Sequence, residues 1–225
     1  MLMTVFQNIF DMFDRRRVVG REALLRGVEG QRTVPARELF QEAAAMGVVM
    51  DLDRAAREEA MRVGVPALEP GQRLFVNLAA ETLERCPPAE WFKERAPLNR
   101  LVVEISEHAR VASMDMGQLE ALRKRGLQIA LDDYGVERTN LHQLEHLHPD
   151  WLKLDLSFVR QGAWNTILQM RRFVEGFPGM RLVVEGVESE EAVSRLLDAG
   201  VRYMQGFALH RPEPLREEAR HAVHG

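Results

Sequence analysis

Eight short apolar segments alternate with stretches of helical spacing, and this alternation constrains the fold more than any other feature of the chain. The segments are Thr4–Phe10, Val18–Leu25, Leu74–Leu78, Leu101–Ile105, Leu127–Leu131, Trp151–Leu154, Leu182–Val184 and Tyr203–Leu209. Strand and helix in alternation are typical of parallel strands joined by crossover helices. Eight such strands in 225 residues predict an α/β fold, a single (β/α)8 barrel of the TIM type, as one domain over residues 1–225.

Helical spacing is clearest in two of the connections. Leu119 and Leu122 lie one turn apart before Gly126, and Ala192–Leu197 carries a similar apolar face before Gly200. The first connection differs, because Asp11–Arg17 is too short for a parallel crossover. The first strand is therefore predicted to run antiparallel to the second.

Composition excludes several classes of protein and partner. The formal net charge is −4 and the isoelectric point is near 6.0, which argues against binding of a DNA or RNA duplex. A lone cysteine, Cys86, excludes an internal disulfide framework and fits a reducing compartment. The apolar start Met1–Phe6 is too short for a signal peptide or membrane span. We therefore expect a cytoplasmic protein with no membrane partner.

Oxygen-bearing side chains lie at or near the ends of six predicted strands. They are Glu22, Asn77, Glu104, Asp132, Asp133, Asp155 and Glu185. Strand ends converge at the carboxyl face of a barrel, where carboxylates this close would repel each other unless cations lay among them. Oxygen ligands without cysteine or histidine suit Mg²⁺ or Mn²⁺, and paired ions about 3.5–4 Å apart are the arrangement that cleaves phosphate esters.

A simpler explanation exists for each acid taken alone, because a carboxylate after a strand can cap the next helix. Asp155, before Leu156 and Ser157, fits that explanation. Lys153 alternates with Leu152 and Leu154, and a barrel strand covered by helices has no solvent-facing side. Its ammonium is therefore expected in the lumen, where it could orient a water or neutralise charge.

The segment His142–His146 offers another metal-binding pattern, the H-x-x-E-H of one metalloprotease class, with Glu145 as its acid. Against that interpretation, Leu141, Leu144 and Leu147 form the core stripe of an ordinary barrel helix, and no further ligand is indicated. The helix is expected to be structural.

Short motifs in the expected order carry a specific resemblance through nearly the whole chain. They are Gln7 with Ile9, Glu22-Ala23-Leu24-Leu25-Arg26, Asn77, Glu104-Ile105-Ser106-Glu107, Asp132-Asp133-Tyr134-Gly135, Lys153-Leu154-Asp155, Glu185-Gly186-Val187-Glu188 and Gln205-Gly206-Phe207. The set resembles the EAL family, the phosphodiesterases that hydrolyse the bacterial second messenger cyclic di-GMP to linear pGpG. The family's usual helix before the barrel is expected to be missing or shortened.

The resemblance implies a role for each matching residue. The first metal ion would be bound by Glu22, Asn77, Glu104 and Asp132, and the second by Asp132, Asp133 and Glu185. Lys153 would position the attacking water, Glu185 is the candidate general base, Arg26 would meet a substrate phosphate, and Glu188 and Gln205 would lie at or next to the substrate. Glu107 would anchor the loop that supports a homodimer. The implied reaction is in-line attack on cyclic di-GMP by a water that two Mg²⁺ or Mn²⁺ ions activate.

One segment departs from the family pattern. Val136–Asn140 carries Glu137 where the family has glycine and Arg138 where it has an aromatic residue. The departure leaves two alternatives to an active enzyme open: a weakly active or inactive domain that acts as a receptor for cyclic di-GMP, or a scaffold for a protein partner.

Overall fold

The computed structural model describes residues 1–30, 32–112, 114–135 and 141–215, and the strands of this part of the chain form one continuous sheet. The strands are β1 (Leu2–Asp11), β2 (Arg17–Glu29), β3 (Arg32–Pro35), β4 (Arg73–Asn77), β5 (Leu101–Ser106), β6 (Gln128–Tyr134), β7 (Trp151–Leu154), β8 (Arg181–Val184) and β9 (Tyr203–Met204). The order β1-β9-β8-β7-β6-β5-β4-β2-β3, with a further β1–β2 pairing, closes the sheet into an eight-stranded barrel that excludes only β3.

Helices cover the outside of the barrel. They are α1 (Ala36–Met46), α2 (Val49–Gly64), α3 (Ala80–Arg85), α4 (Met116–Lys124), α5 (Leu141–Leu147), α6 (Ser157–Arg160), α7 (Trp164–Glu175) and α8 (Glu190–Asp198). The helices predicted before Gly126 and Gly200 are α4 and α8. Among the described residues, no helix combines the length and apolar character that a membrane crossing requires.

The first strand runs antiparallel to both of its neighbours, β2 and β9. The five residues between β1 and β2 can form a tight turn but not a crossover, so the prediction from the short connection is confirmed. The remaining neighbours in the barrel, from β2 through β4 to β9, pair in parallel. The predicted α/β barrel of the TIM type is also confirmed.

Three local predictions differ from the structure. The strand expected over Tyr203–Leu209 ends at Met204, because the chain then follows the loop after β8, where Gln205 O accepts from Val187 N and Ala208 N donates to Val187 O. β2 continues past Leu25 to pair with β3, a short polar strand that lacks an apolar pattern. Leu141 is 53% exposed, so the apolar stripe of α5 consists of Leu144 and Leu147.

An apolar layer fills the lumen of the barrel. It consists of Ile9, Phe75, Val102, Ala130, Trp151 and Val183, which alternate along their strands with residues that pack outward against the helices. The Phe75 ring meets Trp151 edge to face, with the ring centroids 5.3 Å apart. Gly20 makes room for this ring, since a Cβ atom there would lie 2.5 Å from it. The layer closes the lumen and forms the floor beneath the polar residues at the carboxyl end of the barrel.

Candidate active site at the carboxyl end of the barrel

The polar residues of the site form the next lumen-facing layer above the apolar floor. Side chains on one face of a strand recur every two residues, and the floor positions are each followed two residues later by a candidate site residue. The pairs are Gly20 and Glu22, Phe75 and Asn77, Val102 and Glu104, Ala130 and Asp132, Trp151 and Lys153, and Val183 and Glu185. Gln7 precedes Ile9 by two residues because β1 runs the other way. The barrel thus converts six separate strand ends into one ring.

Lys153 lies at the centre of this ring with 1% of its surface exposed. Its Nζ atom lies 2.6 Å from Glu104 Oε1, 2.7 Å from Glu185 Oε1, 3.0 Å from Asp132 Oδ1 and 3.4 Å from Glu22 Oε2. The alternation of β7 therefore places the ammonium in the lumen, as predicted. One cation contacts four carboxyl groups, so the cluster carries an excess of negative charge when all of its acids are ionised.

Burial and mutual repulsion raise the pKa values of three acids in this ring, Glu104, Asp132 and Glu185. Burial, together with the Glu22 charge, holds the pKa of Glu104 well above its usual range although Lys153 opposes the shift. Burial likewise raises the pKa of Glu185 to about 8 and that of Asp132 above its usual value. Burial alone would lower the pKa of Lys153, but the surrounding carboxylates raise it well above its ordinary value. The lysine therefore stays protonated at neutral pH.

Amide side chains complete the ring. Asn77 Nδ2 donates to Glu104 Oε2 at 3.2 Å, which leaves Asn77 Oδ1 as the atom that could bind a cation. Gln205 Nε2 donates to Glu22 Oε2 at 2.6 Å and to Gln7 Oε1 at 3.1 Å. Gln205 N also donates to Val184 O, so this residue remains attached to β8 although it lies beyond β9. These hydrogen bonds orient Glu22 and Glu104 toward the lumen.

Asp133 extends the acidic group toward the mouth of the barrel. Its backbone is left-handed, with φ of 56°, and burial together with the Asp132 charge raises its pKa to about 6. In the described part of the chain, Asp132, Asp133 and Glu185 form the one group of histidine, cysteine or acidic residues whose ligand atoms all lie within 4.8 Å of one another. His142 and His146 do share a face, with their rings stacked 5.9 Å apart, but they belong to no such group.

Glu107 anchors the backbone that follows Asp133. Its Oε2 atom accepts a hydrogen bond from Gly135 N at 2.8 Å, and Glu107 N donates to Asp132 O at 3.0 Å. Both contacts flank the left-handed residue, so they hold its unusual conformation. The segment Val136–Asn140, whose sequence departs from the family pattern, lies outside the described residues.

A cleft with two lobes opens above the ring. One lobe, of about 530 Å³, contains Arg37, Phe40, Arg57 and Asn77, and the other, of about 300 Å³, contains Lys153, Glu185, Glu188, Gln205 and Phe207. The lobes share Glu22, Leu24, Arg26 and Asp133. Arg26 Nη1 donates to Leu25 O at 2.8 Å, and Glu188 pairs with Arg160 at 2.8 Å on the rim. The residues proposed for metal and substrate therefore border these two adjoining lobes, except Glu104, which is buried behind them.

Two contributions were not expected from sequence. Gln7 belongs to the opening motif, which implies no contact with the ring, yet its Oε1 atom accepts a hydrogen bond from Gln205 Nε2. Arg160 had no sequence signal, because the contact with Glu188 joins α6 to the loop after β8.

Asp155 was expected to cap a helix, and its Oδ1 atom does accept a hydrogen bond from Ser157 N at the start of α6.

The donor set fits hard divalent cations. Five carboxylates and one ammonium leave a formal charge of −4 when all are ionised, which two divalent ions would neutralise. Glu104 Oε1 and Asp132 Oδ1 are buried and have no hydrogen bond of normal geometry, although both lie close to the Lys153 ammonium. Carboxylate and amide oxygens without sulfur or imidazole favour Mg²⁺, Mn²⁺ or Ca²⁺.

The chain is similar to proteins named for cyclic di-GMP. The Shewanella oneidensis protein "Cyclic di-GMP phosphodiesterase PdeB" is 34% identical over 153 residues, which are 63% of this chain and 18% of that protein. The chain therefore spans about a fifth of the length of this curated relative.

Two solved structures are similar over nearly the whole chain. The Klebsiella pneumoniae BlrP1 manganese and cyclic di-GMP complex is 26% identical with a TM-score of 0.78, covering 94% of this chain and 56% of that one. The Bacillus subtilis YkuI protein, in complex with cyclic di-GMP and calcium, is 25% identical with a TM-score of 0.80, covering 96% of this chain and 56% of that one. The family model described as "EAL domain" matches residues 2–212, so the chain belongs to the EAL domain family.

Proposed function

We propose that this EAL domain hydrolyses cyclic di-GMP to linear pGpG with two Mg²⁺ or Mn²⁺ ions. The observation that carries the proposal is the ring of oxygen donors around the buried ammonium of Lys153. In this assignment Glu22, Asn77, Glu104 and Asp132 bind one ion, and Asp132, Asp133 and Glu185 bind the other. The names of the similar proteins support the substrate.

The shape of the cleft supports a substrate with two nucleotide halves. Its two lobes have volumes suited to small ligands and meet at Arg26. A guanidinium between the lobes is placed to meet a phosphate, since charge-assisted contacts of this kind are strong. Glu188 and Gln205 border the second lobe, where they would contact or orient that half of the substrate.

Chemical roles follow from the contacts in the ring. Divalent ions bound there would lower the pKa of a water and stabilise charge on the phosphoryl oxygens. Lys153 is held between Glu104 and Glu185, so its ammonium is fixed where it can orient the attacking water. Glu185 borders the cavity and could accept a proton from that water. Only one of the two phosphodiester bonds needs to be cleaved to give the linear product.

A receptor with little turnover is the second candidate function. It is favoured by the sequence of Val136–Asn140, which replaces the family's glycine and aromatic residue close to Asp133. Tight binding of cyclic di-GMP in Ca²⁺ together with negligible turnover in Mg²⁺ and Mn²⁺ would support the receptor. Absence of nucleotide binding would instead support a scaffold for a protein partner.

A turnover assay with matched variants tests the proposal. Purified protein, cyclic di-GMP and Mn²⁺ should yield pGpG on ion-exchange chromatography. Glu22→Gln removes a ring carboxylate and should lower the rate at least about 100-fold. Glu191→Gln, on the exposed face of α8, removes a surface pair with Arg195 and should have no effect. If wild type forms no product in either Mg²⁺ or Mn²⁺, the proposed phosphodiesterase activity is contradicted.

The homodimer and the cytoplasmic location stay predictions. The first can be checked by analytical ultracentrifugation with and without Mn²⁺, and the second by fractionation of cells that express the full-length protein.

A further inference from the structure

A buried ion pair lies on α2, outside the ring around Lys153 and against the larger lobe of the cleft. Asp53 is 2% exposed and Arg57, one turn later, is 4% exposed. Arg57 Nη1 donates to Asp53 Oδ2. Charged side chains are seldom buried this completely unless they are paired, and a barrel helix needs only apolar residues to pack against its strands. The pair therefore calls for an explanation beyond packing.

The second oxygen of Asp53 reaches the backbone that follows Asn77. Asp53 Oδ1 accepts a hydrogen bond from Ala79 N at 3.0 Å. The preceding amide, Leu78 N, donates to Glu104 O on β5 at 3.0 Å. The two peptide groups after Asn77 are thus fixed from opposite sides, one by the neighbouring strand and one by α2.

Both hydrogen bonds fix the backbone directly after Asn77, and the position of that backbone affects the Asn77 side chain. Asn77 ends β4 and is the last residue paired in register with β5, opposite Glu104. Beyond it the chain must leave the sheet to begin α3. Asn77 Nδ2 donates to Glu104 Oε2 at 3.2 Å, and the position of the backbone after Asn77 decides whether the amide can keep this contact. Asp53, Arg57, Asn77 and Ala79 all line the larger lobe of the cleft.

We infer that Asp53, held by Arg57, is a positioning residue that fixes the Asn77 side chain for cation binding. This inference rests on the proposed function, in which Asn77 is a metal ligand. Arg57 neutralises the buried carboxylate and holds its Oδ2 atom, which leaves Oδ1 directed at Ala79 N. Loss of a group that orients a metal ligand without itself binding the metal typically weakens metal affinity by about 10-fold to 100-fold.

A purely structural pair would behave differently. If Asp53 and Arg57 only stabilise the packing of α2, replacing both with neutral residues should leave Mn²⁺ binding by the ring unaffected, whether Asn or Ala stands at position 53. If Asp53 positions Asn77, the outcome should depend on whether residue 53 still carries a hydrogen-bond acceptor for Ala79 N.

Two double variants separate these cases. Asp53→Asn with Arg57→Met removes both charges but keeps an acceptor at residue 53, whereas Asp53→Ala with Arg57→Met removes the acceptor as well. Binding of Mn²⁺ to the protein without nucleotide would be measured by isothermal titration calorimetry. We expect the Asn variant to bind Mn²⁺ within about 3-fold of wild type, and the Ala variant to bind at least about 10-fold more weakly.

A third variant tests the same contact from the donor side. Ala79 has φ of −62° and ψ of 141°, a conformation that proline adopts without strain. Ala79→Pro removes the N–H donor and leaves Asp53 and Arg57 in place, so it should weaken Mn²⁺ binding as the Ala double variant does. This variant keeps the inference testable if the loss of the acceptor prevents folding.

The outcomes distinguish this inference from the proposed function. Equal Mn²⁺ affinity in wild type, both double variants and Ala79→Pro would overturn the positioning role alone. Absence of Mn²⁺ binding by wild type, or binding that Glu22→Gln does not weaken, would overturn the metal site and the inference with it. A rise of the KM for cyclic di-GMP with unchanged Mn²⁺ affinity would also overturn it, since the residues would then act on the substrate.

Discussion

Lys153 Nζ lies 2.6 Å from Glu104 Oε1 at the centre of the barrel, and both side chains are almost completely buried. The ammonium sits where the oxygen atoms of the ring converge, so it neutralises part of their charge.

Lys153→Met should make the protein more dependent on divalent ions. Without the ammonium the buried carboxylates lose their counterion, which should lower the metal-free stability by up to about 3–5 kcal/mol. Mn²⁺ should then raise the melting temperature more in the variant than in wild type, while turnover falls by about 100-fold or more. Calorimetric melting with and without Mn²⁺ measures this. Lys93→Met, which removes an exposed lysine paired with Glu58, is the control, and equal Mn²⁺ shifts in Lys153→Met and wild type would refute the prediction.

Gly186→Ala should disturb Glu185 by displacing the backbone next to it. Gly186 has φ of +66°, and a Cβ atom there would lie 2.3 Å from Leu156 Cβ. We expect a loss of about 2–4 kcal/mol in unfolding free energy and at least a 10-fold loss of turnover. Gly179→Ala is the matched control, because Gly179 has φ of +89° but an added Cβ atom meets nothing within 4 Å. It should cost about 1–2 kcal/mol and leave turnover unchanged. Similar losses in both variants, by urea unfolding and assay, would show that the Leu156 contact is unimportant.

Glu107→Ala should weaken one metal ion more than the other. Removing the carboxylate that accepts from Gly135 N frees the backbone after Asp133, whereas Glu22, Asn77 and Glu104 lie on other strands. Titration calorimetry with Mn²⁺ should show a binding stoichiometry that falls from two ions toward one at concentrations that saturate wild type. A uniform weakening of both ions would argue against a local role for Glu107.

Asp11→Asn should reduce stability in a way that depends on pH. Asp11 is buried and accepts three hydrogen-bond contacts from Arg202, at 2.7–3.1 Å, across the junction of β1 and β9. Burial by itself raises the pKa of Asp11, but the hydrogen bonds and charge of Arg202, with Phe13 N and Arg17, together lower it below its usual value.

Because the folded-state pKa of Asp11 is lowered, the stabilisation is present above the unfolded-state value, about 3.9, and is lost as the pH falls through the folded-state value. Arg202 is half exposed, so solvent screening reduces the effect to about 1–2 kcal/mol. Urea unfolding of wild type and Asp11→Asn should show a constant difference from pH 7 to 5 that shrinks below about pH 4. A difference that grows on acidification would contradict this assignment.

Strand alternation made most of the architecture and much of the ring predictable. Glu22, Asn77, Glu104, Asp132, Lys153 and Glu185 each follow a lumen position by two residues, and this period is a local property of a strand that survives in the sequence. The antiparallel first strand was also predictable, since a short connection limits how two strands can pair. These features depend on residues that are close to one another in the sequence.

Only the tertiary structure decided which side chains orient the ring. Gln7 meets Gln205 across 198 residues, and Asp53 on α2 reaches Ala79 beyond β4. Such contacts join elements that are brought together by barrel closure and helix packing, so no spacing along the chain encodes them. The end of β9 at Met204 has the same origin, because Gln205 and Ala208 hydrogen-bond to Val187 in the loop after β8. The sequence by itself determined the barrel and its acidic mouth, because strand period and connection length are local properties of the chain. The hydrogen-bond partners that orient each carboxylate were decided by packing between segments that are distant in the sequence.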